Sequence, residues 1–259
     1  MINTTDAFKN GKAFIAFLTA GDPDIDTTAK LLPAISKAGA DIIEIGIPFS
    51  DPVAEGVVIQ EADMRALSAG TTTDKVLDMV EEVAPECDCA LAFMTYINVI
   101  YVYGVEKFIS RCAKIGVSAV IVPDVPYEER GELSEVCEKY GVDLIRFIAP
   151  TSKERIQTIA KGAKGFIYCV SSLGVTGTRE HITTNISEMT SLIRASSDVP
   201  AAVGFGISNP AQAAEMAKHA DGVIVGSAIM KLIEAHGREA APYIAEFVKS
   251  MKDAIRPIS

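Results

Sequence analysis

Residues 40–56 read ADIIEIGIPFSDPVAEG. The first seven are nearly all apolar and end on a glycine, as in a strand covered on both faces. Glu44 breaks the pattern. A carboxylate inside such a run is costly unless it is paired or used. Two more carboxylates follow in the loop. Asp51 sits in a Pro-rich stretch and reads as a turn or cap residue. Glu55 precedes a glycine and can face the same cavity as Glu44.

Working outward, the same pattern recurs along the chain. Short β-branched runs occupy 12–19, 40–46, 89–96, 118–124, 142–150, 165–172, 199–206 and 221–227. Helical periodicity fills the gaps at 25–39, 57–69, after TTTD, and at 105–116, 128–141, 152–162, about 184–196 and 209–220. A short helix follows Ser227 and a final one ends the chain. Gly39 and Gly116 stand where helices stop, and Pro210 suits a first turn. Eight strands, each followed by helix, predict an α/β fold, a single (β/α)8 TIM barrel over residues 1–259 with extra short helices in its loops. A doubly wound open sheet is the alternative. It fits eight repeats less well, and no GxGxxG follows the first strand.

Composition narrows the function. The 259 residues carry 24 basic and 34 acidic side chains, a net charge of −10, and the basic ones are scattered. Nucleic-acid binding needs basic patches and is not expected. Cys87, Cys89, Cys112, Cys137 and Cys169 are odd in number and match no disulfide or zinc spacing, so reduced thiols and no metal are expected. MINTTDAFKNGK has no apolar core of a signal peptide, and no apolar run is long enough to span a bilayer. A cytoplasmic protein with no membrane contact is the expectation.

In such a barrel the active site lies at the C-terminal ends of the strands. Those ends carry Phe17 and Thr19, Glu44, Thr95 with Tyr96 and Asn98, Asp124, Tyr168, Gly204 with Gly206, and Gly226 with Ser227. Loops VTG (175–177), GFGIS (204–208) and GSAIM (226–230) follow strands six to eight, where such barrels hold phosphate. Glycine lets backbone N–H groups approach an anion, and the helix start at Ser227 adds a positive dipole end. Each glycine alone reads equally as a turn residue. Burial at the barrel mouth raises the pKa of Glu44 toward neutrality, the range for acid–base work; a cation from elsewhere in the barrel is the structural alternative. Tyr168 is either a donor in the site or a core aromatic with a satisfied hydroxyl. Asp124, in PDVP, reads as a brace for a loop. His181, His219 and His236 lie away from strand ends, which disfavours a histidine base.

FLTAGDP (17–23), EIGIPFSDPVAEG (44–56), IQEA (59–62), PDVP (123–126), LGVTG (173–177), GFGIS and GSAIM together resemble the tryptophan synthase alpha chain, in order and over nearly the whole sequence. The resemblance implies a lyase that cleaves indole-3-glycerol phosphate to indole and glyceraldehyde 3-phosphate. It implies no cofactor in this chain and a beta chain partner that carries pyridoxal phosphate in an alpha2beta2 complex. Glu44 matches the acid–base carboxylate. Glu55 matches an acceptor of the indole N1–H, one methylene longer than the Asp often found there. Tyr168 matches an aromatic beside the substrate. Gly177, Gly204, Gly206, Gly226 and Ser227 match the phosphate loops, and Phe17 and Ile59 match contacts to the indole ring. Thr176 matches a residue of a mobile sixth loop that closes over Glu55. Pro48, Asp51, Asn98 and Pro126 match loops that meet the beta chain. Val57 stands where many members have Pro, and Ser172 where some have Arg. The short segment before Lys12 implies an abbreviated plug at the barrel bottom.

Two other classes remain open on the sequence. A phosphate-binding epimerase or isomerase would need metal-binding residues or a Lys base at strand ends. A non-catalytic activator of a partner would not need both carboxylates.

Overall fold

A computed structural model describes residues 2–170, 179–204 and 206–256, the side chains of Lys153 and of 179–185 excepted. Eight parallel strands close into a barrel in sequence order. They are β1 (Ala13–Thr19), β2 (Ile42–Gly46), β3 (Ala90–Met94), β4 (Val117–Ile121), β5 (Asp143–Ile148), β6 (Ile167–Val170), β7 (Ala201–Gly204) and β8 (Gly222–Val225). The register between β1 and β2 sets Phe17 beside Glu44, and that between β2 and β3 sets Glu44 beside Ala92.

The helices pack outside. In chain order they are α1 (Ile25–Lys37), α2 (Val57–Ser68), α3 (Thr73–Val83), α4 (Ile97–Tyr103), α5 (Val105–Lys114), α6 (Gly131–Tyr140), α7 (Ile156–Ala160), α8 (Arg179–Arg194), α9 (Pro210–Ala217), α10 (Ser227–His236) and α11 (Ala241–Ile255). Local chemistry sets many of their ends. Asp24, Thr72 and Asn209 accept hydrogen bonds from the first turns of α1, α3 and α9, and Pro210 occupies a first-turn position as expected. None of the helices among the described residues is long and apolar enough to cross a membrane.

Side chains alternate along each strand. One set, with Ile15, Ile42, Ala90, Ala119, Ile145, Phe166, Ala202 and Ile224, fills the barrel. The other packs beneath the helices. The bottom is closed by a short 3-10 helix, Thr4–Phe8, whose Phe8 ring lies 5.9 Å from that of Phe166. This matches the abbreviated plug.

A short helix, α4, occupies 97–103, one of the extra short helices expected in the loops. The structure corrects three expectations. The strand expected at 118–124 stops at Ile121, since Pro123 cannot donate to a ladder. The helix expected at 152–162 is a 3-10 turn, Pro150–Arg155, followed by the five residues of α7. Its early end has a cause: the Arg146 guanidinium from β5 donates to the carbonyls of Ile159, Lys161 and Gly162 at 2.6, 2.8 and 2.6 Å. Helix α8 begins at Arg179, before the expected 184, and the buried side chains of Ile186, Met189 and Ile193 anchor it against the strands.

Candidate active site

Two residues beyond Ile42 along β2, Glu44 points into the barrel. It is fully buried, and neither carboxyl oxygen has a hydrogen-bond partner among the described residues. Among them the cationic alternative is not realised. Burial alone pushes the carboxyl up to about 8, so it is protonated at neutral pH. Its neighbour on β1, Phe17, occupies the space a side chain would need at Gly46 and Gly226; a Cβ at these positions would lie 2.8 and 3.0 Å from the ring.

Tyr168 is two residues beyond Phe166 on β6 and stacks against Phe147 at 4.9 Å. Burial and then the charge of Glu44 raise its hydroxyl well above the usual value, which keeps it a neutral donor. Its hydroxyl and ring fill the place where a Cβ on Gly204 would sit, at 2.6 Å and 2.8 Å. Gly204 thus has a structural duty that the reading as a phosphate loop did not foresee: it makes room for Tyr168. Replacing Gly204 with Ala is expected to displace that ring, lower kcat about tenfold and destabilise by about 1–3 kcal/mol. Indole release and urea unfolding would measure this, and wild-type kcat would detach Tyr168 from the chemistry.

The other glycines suit an anion. Gly206 has φ +74° and is exposed, with open space where a Cβ would be. Helix α10 begins at Ser227 with Gly226 as its cap residue and no side chain satisfying its first N–H groups. Gly177, Thr176 and Ser172 lie outside the described residues.

The loop after β2 brings Glu55 close to a residue that the sequence reading passed over. Asp63 on α2 is buried, and its carboxyl faces that of Glu55. Thr19 donates to Asp63 at 3.3 Å, and the Tyr96 hydroxyl, which accepts the Ala54 N–H at 3.1 Å, lies beside Glu55. Burial first, then the facing Glu55, pushes Asp63 up to about 8; burial likewise raises Glu55. The missed signal was helical spacing. Ile59, Asp63 and Ala66 recur at three and four residues, so Asp63 shares the inward face of α2. Ile59 is half-buried on that face.

Two further residues act as braces. Asp124 accepts the Ile97 N–H at 3.1 Å and so caps α4, as a brace should. Arg65 on α2 donates twice to the buried Asp22 after β1, at 2.9 and 2.8 Å, fixing the helix that carries Asp63. Asp51 accepts from the adjacent Ser50 hydroxyl at 2.6 Å, in keeping with a turn residue. Asp51, Asn98 and Pro126 are exposed. Pro48 is buried within the single chain, next to the half-buried Phe49 and the exposed Ser50. All five thiols are free, and burial pushes that of Cys169 up to about 12. Among the described residues no group of three His, Cys, Asp or Glu is placed to hold a metal.

The buried side-chain oxygens without partners among the described residues are those of Glu44, Glu55 Oε2 and Thr95 Oγ1. All lie at or beyond the C-terminal ends of β2 and β3. Unsatisfied polar groups gathered at one barrel mouth mark a place built for a ligand's polar groups.

Known proteins with this arrangement are closely similar. A sequence model described as tryptophan synthase alpha chain matches residues 4–256. The tryptophan synthase alpha chain of Lacticaseibacillus casei is 47% identical over 255 residues, which is 98% of this chain and 96% of that one. The solved structure of tryptophan synthase subunit alpha from Campylobacter jejuni superposes with a TM-score of 0.88 at 34% identity, covering 97% of this chain and 99% of that one. A chain in the crystal structure of tryptophan synthase from M. tuberculosis, in an aminoacrylate-bound form, superposes with a TM-score of 0.85 at 31% identity, covering 95% and 93%. Identity at this level over nearly the full length settles the kinship: the chain belongs to the tryptophan synthase alpha chain family.

Proposed function

We propose that Glu44 is the acid–base group and Glu55 the acceptor of the indole N1–H in the reaction of this family. That reaction is the cleavage of indole-3-glycerol phosphate to indole and glyceraldehyde 3-phosphate, in tryptophan biosynthesis. The alpha chain needs no cofactor; pyridoxal phosphate is carried by the beta chain with which it assembles. The observation that carries the assignment is Glu44, buried without a partner for either oxygen among the described residues.

The proton balance follows from the two environments. Glu44 enters protonated, because burial has raised it. It gives its proton to indole C3 while Glu55 takes the N1 proton, producing the indolenine. Glu44, now a carboxylate, takes the proton of the glycerol 3′-hydroxyl. The bond from C3 to the glycerol carbon breaks and the aldehyde forms. The bonding pair restores the aromatic ring as Glu55 returns its proton to N1. Both carboxyls end as they began. Each such transfer contributes about 10²- to 10⁴-fold. Gly206, Gly226 and the first turn of α10 at Ser227 hold the phosphate, with Gly177 as a further contact. Phe17 and Ile59 flank the indole, and Tyr168 donates beside Glu44.

The loops after β2, β3 and β4 support beta chain docking. Asp51, Asn98 and Pro126 are exposed, as are the apolar Val53, Val57, Tyr101 and Val102. The whole chain, 1–259, works as one barrel domain. A cytoplasmic setting agrees with five free thiols. Indole release from indole-3-glycerol phosphate by the purified chain tests the reading. The chain contains no tryptophan, so indole fluorescence is read without background. Glu55→Gln is expected to lower kcat by about 10²-fold, and a matched beta chain to raise the wild-type value. Glu55→Gln at wild-type rate would remove Glu55 from the mechanism, and a kcat indifferent to the beta chain would remove the docking role.

A further inference from the structure

The carboxyls of Glu55 and Asp63 face each other in a largely buried site. Two like charges held that close disfavour each other, so one carboxyl carries a proton. Among the described residues the surroundings supply donors but no cation. Thr19 from β1 donates to Asp63, the Phe49 backbone lies near that carboxyl, and the Tyr96 hydroxyl, ahead of α4, lies beside Glu55. Gln60 binds only the Glu55 carbonyl, at 2.8 Å. On α2 itself, Glu61 is exposed, and Arg65 is committed to Asp22, with Glu234 at 3.9 Å. The less solvated partner keeps the proton. Asp63 is 4% exposed, whereas Glu55 is partly accessible.

We propose that Asp63 is the positioning residue for Glu55: the pair holds one proton, kept on Asp63, which tethers the longer Glu55 side chain and leaves its Oε2 as the charged acceptor for the substrate. This rests on the reading that Glu55 takes the indole N1–H. It gives the unpartnered Oε2 a purpose. It also answers how a glutamate, with one more rotatable bond than an aspartate, is held in place.

The consequence is a second alkaline switch beside that of Glu44. When the shared proton leaves, two like charges face each other in a buried site, and Glu55 is driven from its position. The pair is read directly in the intact chain by 13C NMR of labelled Asp carboxyls, the Asp63 signal being assigned by its loss in Asp63→Asn. That signal is expected to titrate near 8 rather than in the usual aspartate range; an ordinary titration overturns the proposal without touching the role of Glu55. In the indole-release assay, Asp63→Asn keeps a donor toward Glu55. It is expected to hold kcat within about threefold at pH 7 and to lose one of two alkaline ionisations. Asp63→Ala is expected to lose about 10- to 100-fold in kcat, with KM changed less. Equal losses in both variants with an unaltered pH profile would show a merely structural residue and overturn the proposal, as would two variants with wild-type kcat and profile. A Glu55→Gln chain that cleaves at full rate would instead defeat the underlying reading.

Discussion

Glu44→Gln is expected to lose about 10²- to 10⁴-fold in indole release and, at the same time, to become more stable than the wild type at alkaline pH. The loss follows from removing the only group at the end of β2 able to give a proton to C3 and take one from the hydroxyl. The gain follows from linkage. In the unfolded chain Glu44 ionises at its ordinary value of 4.5; in the fold it holds its proton to about 8. The folded state therefore binds more protons between these limits. Its stability from this group is fully present below 4.5, declines as pH rises, and is lost above about 8. At about 1.4 kcal/mol per pH unit the total is ~5 kcal/mol. Glutamine has no such dependence. Urea unfolding of both proteins at pH 5 and pH 8.5 isolates the effect, because Asp63 titrates alike in each and cancels in the difference. Equal pH dependence in the two proteins would mean that Glu44 is solvated or paired, and the acid role assigned to it would fail with that result.

Asp22→Ala is expected to cost about 2–3 kcal/mol of stability and to reduce kcat by about tenfold, although Asp22 is given no contact with substrate. Its carboxylate is 1% exposed and receives both hydrogen bonds from Arg65, which is one-third exposed. The solvent open to Arg65 limits the cost, since the abandoned guanidinium can reach water or Glu234. The loss in rate has a geometric source. Arg65 belongs to α2, the helix that also carries Ile59 and Asp63. Releasing the helix from the loop after β1 loosens the face toward Glu55. Urea unfolding and indole release on the same preparation check both halves. A stability loss with unchanged kcat would confine the ion pair to holding the fold.

The eight repeats, the barrel and the placement of Glu44, Phe17, Tyr168 and the glycine loops at the strand ends were legible in the sequence. They depend on periodicity and on the glycines, which are local properties of the chain. That Glu44 is buried and pointed inward follows from its place two residues after Ile42 on an apolar strand. The tertiary structure alone decided whether a cation from another strand answers it, and none among the described residues does. The same holds elsewhere in the fold. INVIYVY is apolar and β-branched, and reads as helix only once Asp124, 27 residues later, accepts the Ile97 N–H. Arg146 ends α7 by reaching three carbonyls beyond its own strand. Gly204 reads as a phosphate contact until Tyr168 from the neighbouring strand is found in the space it leaves. Asp63 shares the inward face of α2 with Ile59 and Ala66, a spacing the sequence carries, but its meeting with Glu55 exists only in the fold. A sequence records which groups a strand or helix presents, since that is fixed by its own repeat. Partners that meet across the barrel are joined by closure of the sheet, and their distances, and so their charges, exist only in the folded chain.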